Sequence, residues 1–235
     1  MTSSVPAPPL FLPGLLCDAS VWLPQARAFA DRGPVVVDGY GTADSLEAMA
    51  RIALDQAPPA FSLVGHSMGA RVALELLRIA PERVERLALL DTGVHPPGPG
   101  EADKRHALLA LGREQGVDRL IEAWLPPMVG PQLREDEAFM EPLRAMVRKA
   151  GVETYARQIR ALLGRPDYRP MLAGIRCPTL VGVGRQDEWS PVPQHEEIAA
   201  LIPGAQLVIF EECGHMAPVE APGQVNAALA DWLRR

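Results

Sequence analysis

Short apolar runs alternate with longer amphipathic stretches along most of this chain. The runs are almost wholly apolar instead of switching between apolar and polar residues, which is typical of strands buried on both faces of a sheet. Their alternation with helical patterns predicts an α/β fold with a mostly parallel, doubly wound sheet of about six strands. The predicted strands cover residues 9–12, 35–37, 61–64, 87–90, 179–183 and 206–210.

The stretches between these runs have the length and composition of helices. The predicted helices cover residues 20–30, 45–57, 70–80, 194–201 and 224–233. Pro81 ends the third of them, and Asp44 and Ser45 are both suitable N-cap residues for the second.

The segment 95–168 breaks this alternation, because it contains helical stretches and no convincing strand. Its first residues, 96–100, are all Pro or Gly and form a stiff turn. A helical insertion between two strands of one sheet predicts a lid within a single domain of residues 1–235. An independent helical subdomain is the alternative. The helical stretches cover residues 102–115, 117–123, 137–150 and 152–163.

A G-x-S-x-G motif at residues 65–69 lies directly between the third predicted strand and the following helix. This context is that of a nucleophile elbow, in which Ser67 projects its hydroxyl from the carboxyl end of the sheet. Such a turn leaves no room for a Cβ atom at Gly65 or Gly69. A serine hydroxyl becomes a useful nucleophile only beside a base, so we expect a histidine that is held by a carboxylate.

Two further residues follow strands in the chain order Ser, Asp, His. Asp187 comes just after the fifth predicted strand, and His215 comes after the sixth. Because the carboxyl ends of parallel strands lie at one edge of a sheet, we expect both side chains to meet Ser67 there. Asp91, after the fourth strand, is the alternative acid, and Glu188 is a less well placed neighbour.

The remaining histidines suggest other roles. His66 flanks the serine and is expected to line the elbow and contact substrate instead of acting as the base. Surface positions are predicted for His95, His106 and His195. These histidines do not have the spacing of metal ligands, so we predict neither a metal nor another cofactor.

Hydrolysis by this route also needs backbone donors for an oxyanion. The expected donors are the N–H groups of Met68 and Leu15, with Leu16 as the alternative to Leu15. Arg71 is consistent either with a substrate contact or with a solvated helix residue. The predicted substrate contacts are Leu16, His66, Arg71 and Trp124. The apolar side chains expected from the lid, which suggest a small or medium apolar substrate, are Leu108, Leu109, Leu111, Trp124 and Met128.

Composition and charge limit the kinds of partner that this chain is expected to bind. The formal net charge is −6 and no cluster of Lys and Arg occurs, which argues against nucleic-acid binding. The first basic residue is Arg27, so the basic start of a secretory signal is missing, and the apolar stretch 10–16 is too short for a membrane span. We therefore expect a cytoplasmic monomer or homodimer without nucleic-acid or membrane partners. The small-molecule ester expected as its substrate follows from the serine, histidine and carboxylate above and not from composition.

With these motifs in place, the chain resembles the α/β-hydrolase superfamily over nearly its full length. The matching segments are L-P-G-L-L at 12–16, V-G-H-S-M-G-A-R at 64–71, P-E-R-V at 81–84, and residues 178–187 and 214–215. Many members have His-Gly where this chain has Pro13 and Gly14. The chain also begins almost at the first strand, so the leading β-hairpin is expected to be reduced or absent.

The resemblance implies ester hydrolysis through an acyl-enzyme, because the chain is similar to small carboxylesterases such as those that cleave pimeloyl-acyl-carrier-protein methyl ester. It is also similar to a lyase of the menaquinone pathway, in part through Arg71. A cofactor-free lyase or a carbon–carbon bond hydrolase with the same three side chains is therefore an alternative. A ligand-sensing protein with slow turnover is a further one.

Overall fold

The computed structural model describes residues 7–235, and residues 1–6 of the predicted domain lie outside this part. The strands are β1 (Pro9–Leu12), β2 (Val35–Val36), β3 (Phe61–His66), β4 (Val84–Leu90), β5 (Thr179–Gly184) and β6 (Gln206–Phe210). They form a six-stranded sheet in the order β2-β1-β3-β4-β5-β6, in which each neighbouring pair is parallel. The predicted fold class is confirmed, and β1 is the first strand along the chain within the described residues.

Helices connect these strands and cover the sheet. They are α1 (Leu23–Ala28), α2 (Leu46–Gln56), α3 (Met68–Ile79), α4 (Glu101–Gln115), α5 (Val117–Trp124), α6 (Glu137–Ala150), α7 (Val152–Leu163), α8 (Arg169–Leu172), α9 (Val192–Leu201), α10 (Ala217–Glu220) and α11 (Pro222–Leu233). Helix α2 packs on α3, which in turn packs on β3 and β4, whereas α11 packs on α1, β5 and β6. None of the helices among residues 7–235 is long and apolar enough to cross a bilayer.

Most predicted elements differ from the structure by one to three residues at one or both ends, and two of the differences have local reasons. Strand β4 begins at Val84 and not at residue 87. The apolar pattern misses its start, because Glu85 and Arg86 are polar and lie at the less buried end of the strand. The helix predicted at 20–30 is divided into a short 3-10 turn and α1, since Pro24 stands at the start of α1, where its missing N–H does no harm. Between the two proposed N-cap residues of α2, the structure selects Ser45, whose hydroxyl accepts the Ala48 N–H.

The segment between β4 and β5 is helical, as the sequence predicts. Its helices α4 to α7 pack largely on one another, with α4 against α5 and α7, and α6 against α5 and α7. The segment joins the rest of the chain above the carboxyl ends of the strands, where its residues form part of a cavity.

Candidate active site

Ser67 occupies a tight turn between β3 and α3. Its backbone has φ 55° and ψ −117°, a conformation that non-glycine residues rarely adopt and that is found at functional turns. A Cβ atom at Gly65 would collide with the backbone of Ala70, and one at Gly69 would collide with the carbonyl oxygen of Leu12. Both glycines are therefore needed for β1, β3 and α3 to approach so closely.

The structure brings the three predicted side chains into one hydrogen-bonded row. The distance from Ser67 Oγ to His215 Nε2 is 2.7 Å, and that from His215 Nδ1 to Asp187 Oδ2 is 2.8 Å. All three residues come from the carboxyl ends of strands, namely β3, β5 and β6, as expected. The row is half-buried at Ser67 and buried at the other two residues.

Asp187 is held as a carboxylate by its surroundings. Its Oδ1 atom accepts the N–H groups of Trp189 and Ser190 at 2.8 and 2.9 Å. Burial alone would raise the pKa of this carboxyl, but the charge and hydrogen bond of His215, with the Ser190 N–H, lower it below the ordinary value. An ionised Asp187 favours the imidazole tautomer that carries its proton on Nδ1 and leaves Nε2 free to accept from Ser67.

The alternative acids stand elsewhere. Asp91 Oδ1 accepts the Gly184 N–H at 2.9 Å, and its Oδ2 lies 3.9 Å from His66 and not beside His215. Burial, followed by the charge of Asp187, raises the pKa of Asp91 well above its ordinary value, which favours the neutral acid. Glu188 is exposed and lies 3.7 Å from Arg134. Neither carboxyl has the position of an orienting acid for His215.

The side chain of His66 hydrogen-bonds the backbone of His215. Its Nε2 lies 2.6 Å from the carbonyl oxygen of His215, so this nitrogen must carry the proton and donate it. Burial lowers the pKa of His66 to about 3, and the charge of His215 acts in the same direction. A neutral His66 whose proton is already engaged is unsuited to act as the base, although the residue also lines the cavity.

The surface position predicted for His195 is wrong. The side chain is fully buried, its Nε2 accepts the Thr92 N–H at 2.8 Å, and burial lowers its pKa to about 4. Thr92 Oγ1 in turn donates to the carbonyl oxygen of Ser67 at 2.9 Å. No sequence signal marks this burial, because His195 lies near the start of a helix without a clear apolar face and its partner is 103 residues away in the chain.

The loop after β1 passes directly beside the serine. A Cβ atom at Gly14 would lie 3.2 Å from Ser67 Cβ. Leu15 and Met68, the predicted donors, both line the cavity, and within the described residues their N–H groups donate to no other group of the protein. These two N–H groups beside the cavity are therefore free of protein acceptors among residues 7–235, as the prediction requires.

Leu16 does not have either of its predicted roles. It is fully buried, does not line the cavity, and donates its N–H to Gln158 Oε1 at 2.7 Å. Its backbone is left-handed, with φ 59°, and its N–H is taken up by a side chain of helix α7. Gln158 is thus a buried support of the loop, and no motif in the sequence marks it.

A cavity of about 400 Å³ opens above Ser67. The predicted contacts His66, Arg71 and Trp124 line it, and so does Met128. The α4 leucines do not: Leu108 and Leu109 pack partly buried against the core, and Leu111 also lies outside the cavity wall. Further lining residues that the sequence did not reveal include Thr92, Glu101, Lys104, Arg105, Leu162, Arg165, Trp189 and Met216.

Comparison with known proteins places this architecture in a broad group of hydrolases. The chain resembles a 2-hydroxy-6-oxononadienedioate/2-hydroxy-6-oxononatrienedioate hydrolase of Burkholderia vietnamiensis, with 29% identity over 178 residues. The alignment covers 74% of this chain and 62% of that protein, so the chain matches less than two thirds of the relative.

Solved structures are similar over most of their length. A thermophilic esterase from Thermogutta terrifontis, solved with malate bound, superposes with a TM-score of 0.88 at 29% identity, covering 97% of this chain and 89% of the esterase. A hydrolase from Pseudomonas aeruginosa gives a TM-score of 0.85 at 26% identity, over 97% and 90% of the two chains. The model of the alpha/beta hydrolase family matches residues 9–228. This chain therefore belongs to the alpha/beta hydrolase family.

Proposed function

We propose that this protein is a serine hydrolase that cleaves a carboxylic ester through an acyl-enzyme. Ser67 is the nucleophile, His215 the general base and Asp187 the acid that orients the imidazole. The observation that carries the proposal is the 2.7 Å contact between Ser67 Oγ and His215 Nε2, in a row that ends on a buried carboxylate. The esterase from Thermogutta terrifontis, similar over 97% of this chain, supports the same reaction type.

Acylation begins when the ester carbonyl lies against Ser67. His215 Nε2 accepts the Ser67 proton as Oγ attacks the carbonyl carbon, and the imidazolium that forms is stabilised by Asp187. The N–H groups of Leu15 and Met68 hold the oxyanion of the tetrahedral intermediate. His215 then gives its proton to the alcohol oxygen, which leaves as the carbon–oxygen bond breaks.

Deacylation repeats these steps with water. His215 Nε2 accepts a proton from water, whose oxygen attacks the acyl carbon, and the same two N–H groups stabilise the second oxyanion. The proton returns to Ser67 Oγ as the acyl–serine bond breaks and the carboxylic acid is released. Trp124, Met128 and Leu162 contribute apolar surface to the cavity from the helical insertion, which supports a lid role for residues 95–168.

Ester hydrolysis by Ser67 variants tests this function. We expect wild-type protein to hydrolyse p-nitrophenyl butyrate and Ser67→Ala to lose at least about 10⁴-fold in kcat. Ser62→Ala is the matched control, because Ser62 is a buried serine of β3 that hydrogen-bonds the Ala7 carbonyl instead of facing the cavity. Equal turnover by wild type and Ser67→Ala would refute the proposal.

Hydrolysis of a carbon–carbon bond is the second candidate. It is favoured by the similarity to the Burkholderia dioate hydrolase and by the position of Arg71 in the cavity wall, where it suits a carboxylate-bearing substrate. This function predicts cleavage of 2-hydroxy-6-oxononadienedioate with little turnover of simple esters. The esterase function predicts the reverse, and a ligand-sensing protein would turn over neither compound appreciably.

A further inference from the structure

The cavity above Ser67 is cationic in a protein whose net charge is −6. Among its lining residues are four basic side chains and a single carboxylate. The basic side chains are Arg71, Lys104, Arg105 and Arg165, and the carboxylate is Glu101. A cavity with this excess of positive charge does not suit an entirely apolar substrate.

Glu101 is fully engaged by two of these arginines. Its oxygens accept from Arg165 Nη1 and Nη2 at 2.8 and 2.6 Å, in a paired geometry, and Arg105 Nε donates to it at 2.9 Å. These bonds lower the pKa of Glu101 to about 2 against the opposing effect of burial. One carboxylate is therefore shared by two guanidinium groups, which leaves an excess of positive charge, and Glu101 makes no ion pair with Arg71.

Arg71 has only weak compensation within the protein. In the part of the chain that the structure describes, the one hydrogen bond of its side chain goes from Nη1 to the carbonyl oxygen of His95 at 3.3 Å, and no carboxylate lies within 4.0 Å of the guanidinium. Arg71 is half-buried and its guanidinium has five N–H donors, so a cation partly removed from water here is stabilised when an anion accompanies it. Burial and the charge of Arg165 lower the pKa of Arg71 to about 9, which still leaves it protonated at neutral pH.

Both the chain position and the local packing direct Arg71 towards the substrate space. It follows Ser67 by four residues in α3, so about 6 Å of helical rise separates the two positions. Its Nη2 lies 3.1 Å from where a Cβ atom of Gly93 would stand, so the glycine lets the guanidinium lie against the chain that leaves β4. Ser67 and Arg71 line the same cavity, so one substrate can present an ester carbonyl to the first and an anion to the second.

We propose that Arg71 forms an anion subsite, so that the preferred substrate carries a carboxylate a few atoms from the bond that Ser67 attacks. This inference rests on the proposed esterase function and specifies its substrate class. The apolar wall contacts the spacer between the two groups, while Arg105 and Lys104 add to the positive potential at the cavity. Neutral esters of the same length bind without the ion pair between a substrate carboxylate and Arg71, and they react more slowly.

A pair of esters that differ only in the group at the far end of the acyl chain, a carboxylate or a methyl, tests the subsite. Monomethyl glutarate and methyl pentanoate have the same reacting group and the same chain length, and pH-stat titration measures the hydrolysis of each. We expect wild-type kcat/KM to be at least about 10-fold higher for the anionic ester. Arg71→Gln should lower kcat/KM for monomethyl glutarate about 10- to 100-fold, the range of a charged hydrogen bond, and leave methyl pentanoate within about 3-fold.

Two further variants act as controls. Arg51→Gln removes an exposed arginine that pairs with Glu47 on α2, away from the cavity, and should leave the preference unchanged. Arg71→Lys keeps the charge and should retain part of the preference. Equal losses on both esters in Arg71→Gln, or a wild-type enzyme without preference, would overturn the anion subsite and leave the esterase function intact.

A binding measurement separates the subsite from catalysis. Calorimetry with Ser67→Ala protein, which lacks the nucleophile, should detect glutarate binding that weakens at least about 10-fold when Arg71→Gln is added. This result would support the subsite even if neither ester were hydrolysed, an outcome that would refute the proposed function alone. Unchanged glutarate affinity, or no binding of glutarate by Ser67→Ala protein, would overturn the subsite.

Discussion

Asp187 Oδ2 lies 2.8 Å from His215 Nδ1, while the second oxygen of the same carboxylate accepts two backbone N–H groups. The backbone bonds fix the plane of the carboxylate, and that plane in turn fixes the ring of His215. The imidazole is therefore held from both ends, by Asp187 at Nδ1 and by Ser67 at Nε2.

Replacing the carboxylate by an amide should disable the base without unfolding the protein. In Asp187→Asn, the amide oxygen can keep the Trp189 and Ser190 bonds, and its NH₂ group then faces His215 Nδ1 and favours the wrong tautomer. We expect kcat for p-nitrophenyl butyrate to fall by about 10⁴-fold, the loss known for this change in serine proteases, with little change in Tm.

Asp91→Asn is the matched control for that variant. Asp91 favours the neutral acid, and an asparagine oxygen can still accept the Gly184 N–H, so kcat should stay within about 10-fold of wild type. A larger loss in Asp91→Asn than in Asp187→Asn would show that the orienting acid has been misassigned.

Gln158 should act on turnover through the loop that carries Leu15. Its side chain holds the left-handed Leu16, and Gln158→Leu would leave the buried Leu16 N–H without an acceptor and loosen the neighbouring oxyanion donor. We expect kcat to fall about 10- to 100-fold with KM little changed.

Tyr155→Phe provides the comparison for Gln158. Tyr155 is a buried residue of the same helix, α7, and within residues 7–235 its hydroxyl has no hydrogen-bond partner. Its loss should leave kcat unaltered. If both variants lowered kcat equally, general disturbance of α7 would explain the result, and the specific support of the loop would be disproved.

Gly69→Ala tests the close contact between α3 and the loop after β1. The added methyl group would overlap the backbone oxygens of Leu12 and Pro13, which cannot move aside as a flexible side chain does. We expect the free energy of unfolding to fall by about 2 kcal/mol or more.

The same substitution in α11 should be harmless. A Cβ atom at Gly223 would meet nothing within 4 Å, so Gly223→Ala should leave stability unchanged or raise it by about 0.5–1 kcal/mol. Urea unfolding of the two variants gives both free energies. Comparable stability of Gly69→Ala and wild type would contradict the packing described for the elbow.

Buried neutral histidines should make the protein less stable in mild acid. His195 has an ordinary pKa of 6.5 and a pKa of about 4 in the folded state, so below pH 6.5 the unfolded chain takes up a proton that the folded protein does not. Stability from this residue is therefore present above pH 6.5 and declines as the pH falls towards 4, by about 1.4 kcal/mol per pH unit.

His195→Gln isolates this contribution. The glutamine oxygen can accept the Thr92 N–H but does not titrate, so the stability of the variant should fall less steeply with pH. Urea unfolding at intervals between pH 6.5 and 4 measures both slopes. Parallel slopes for wild type and variant would contradict a buried neutral His195.

The sheet and the serine turn are predictable because their signals are local. Uninterrupted apolar runs mark strands buried on both faces, and the glycines at 65 and 69 have direct steric causes. The meeting of Ser67, Asp187 and His215 is also predictable, since the carboxyl ends of parallel strands lie at one edge of the sheet. The sequence thus predicted the three side chains that the structure brings together.

The supports of the site escape prediction because they depend on contacts between distant segments. Gln158 is 142 residues from Leu16, and nothing near either residue marks the bond between them. His195 and the cationic wall of the cavity are similar cases, since a helix pattern does not reveal which of its polar residues will be covered. The prediction that the α4 leucines contact substrate is wrong for the same reason, because an apolar residue in a lid can pack on the core as well as on a substrate.

The most direct test of the account is covalent labelling of the nucleophile. Protein treated with a fluorophosphonate probe should gain the mass of one label, and peptide mapping should find it on Ser67. Labelling should be absent in Ser67→Ala, strongly slowed in His215→Ala and unaffected in Ser62→Ala. Attachment to another residue, or equally fast labelling after loss of His215, would contradict the activation of Ser67 by His215.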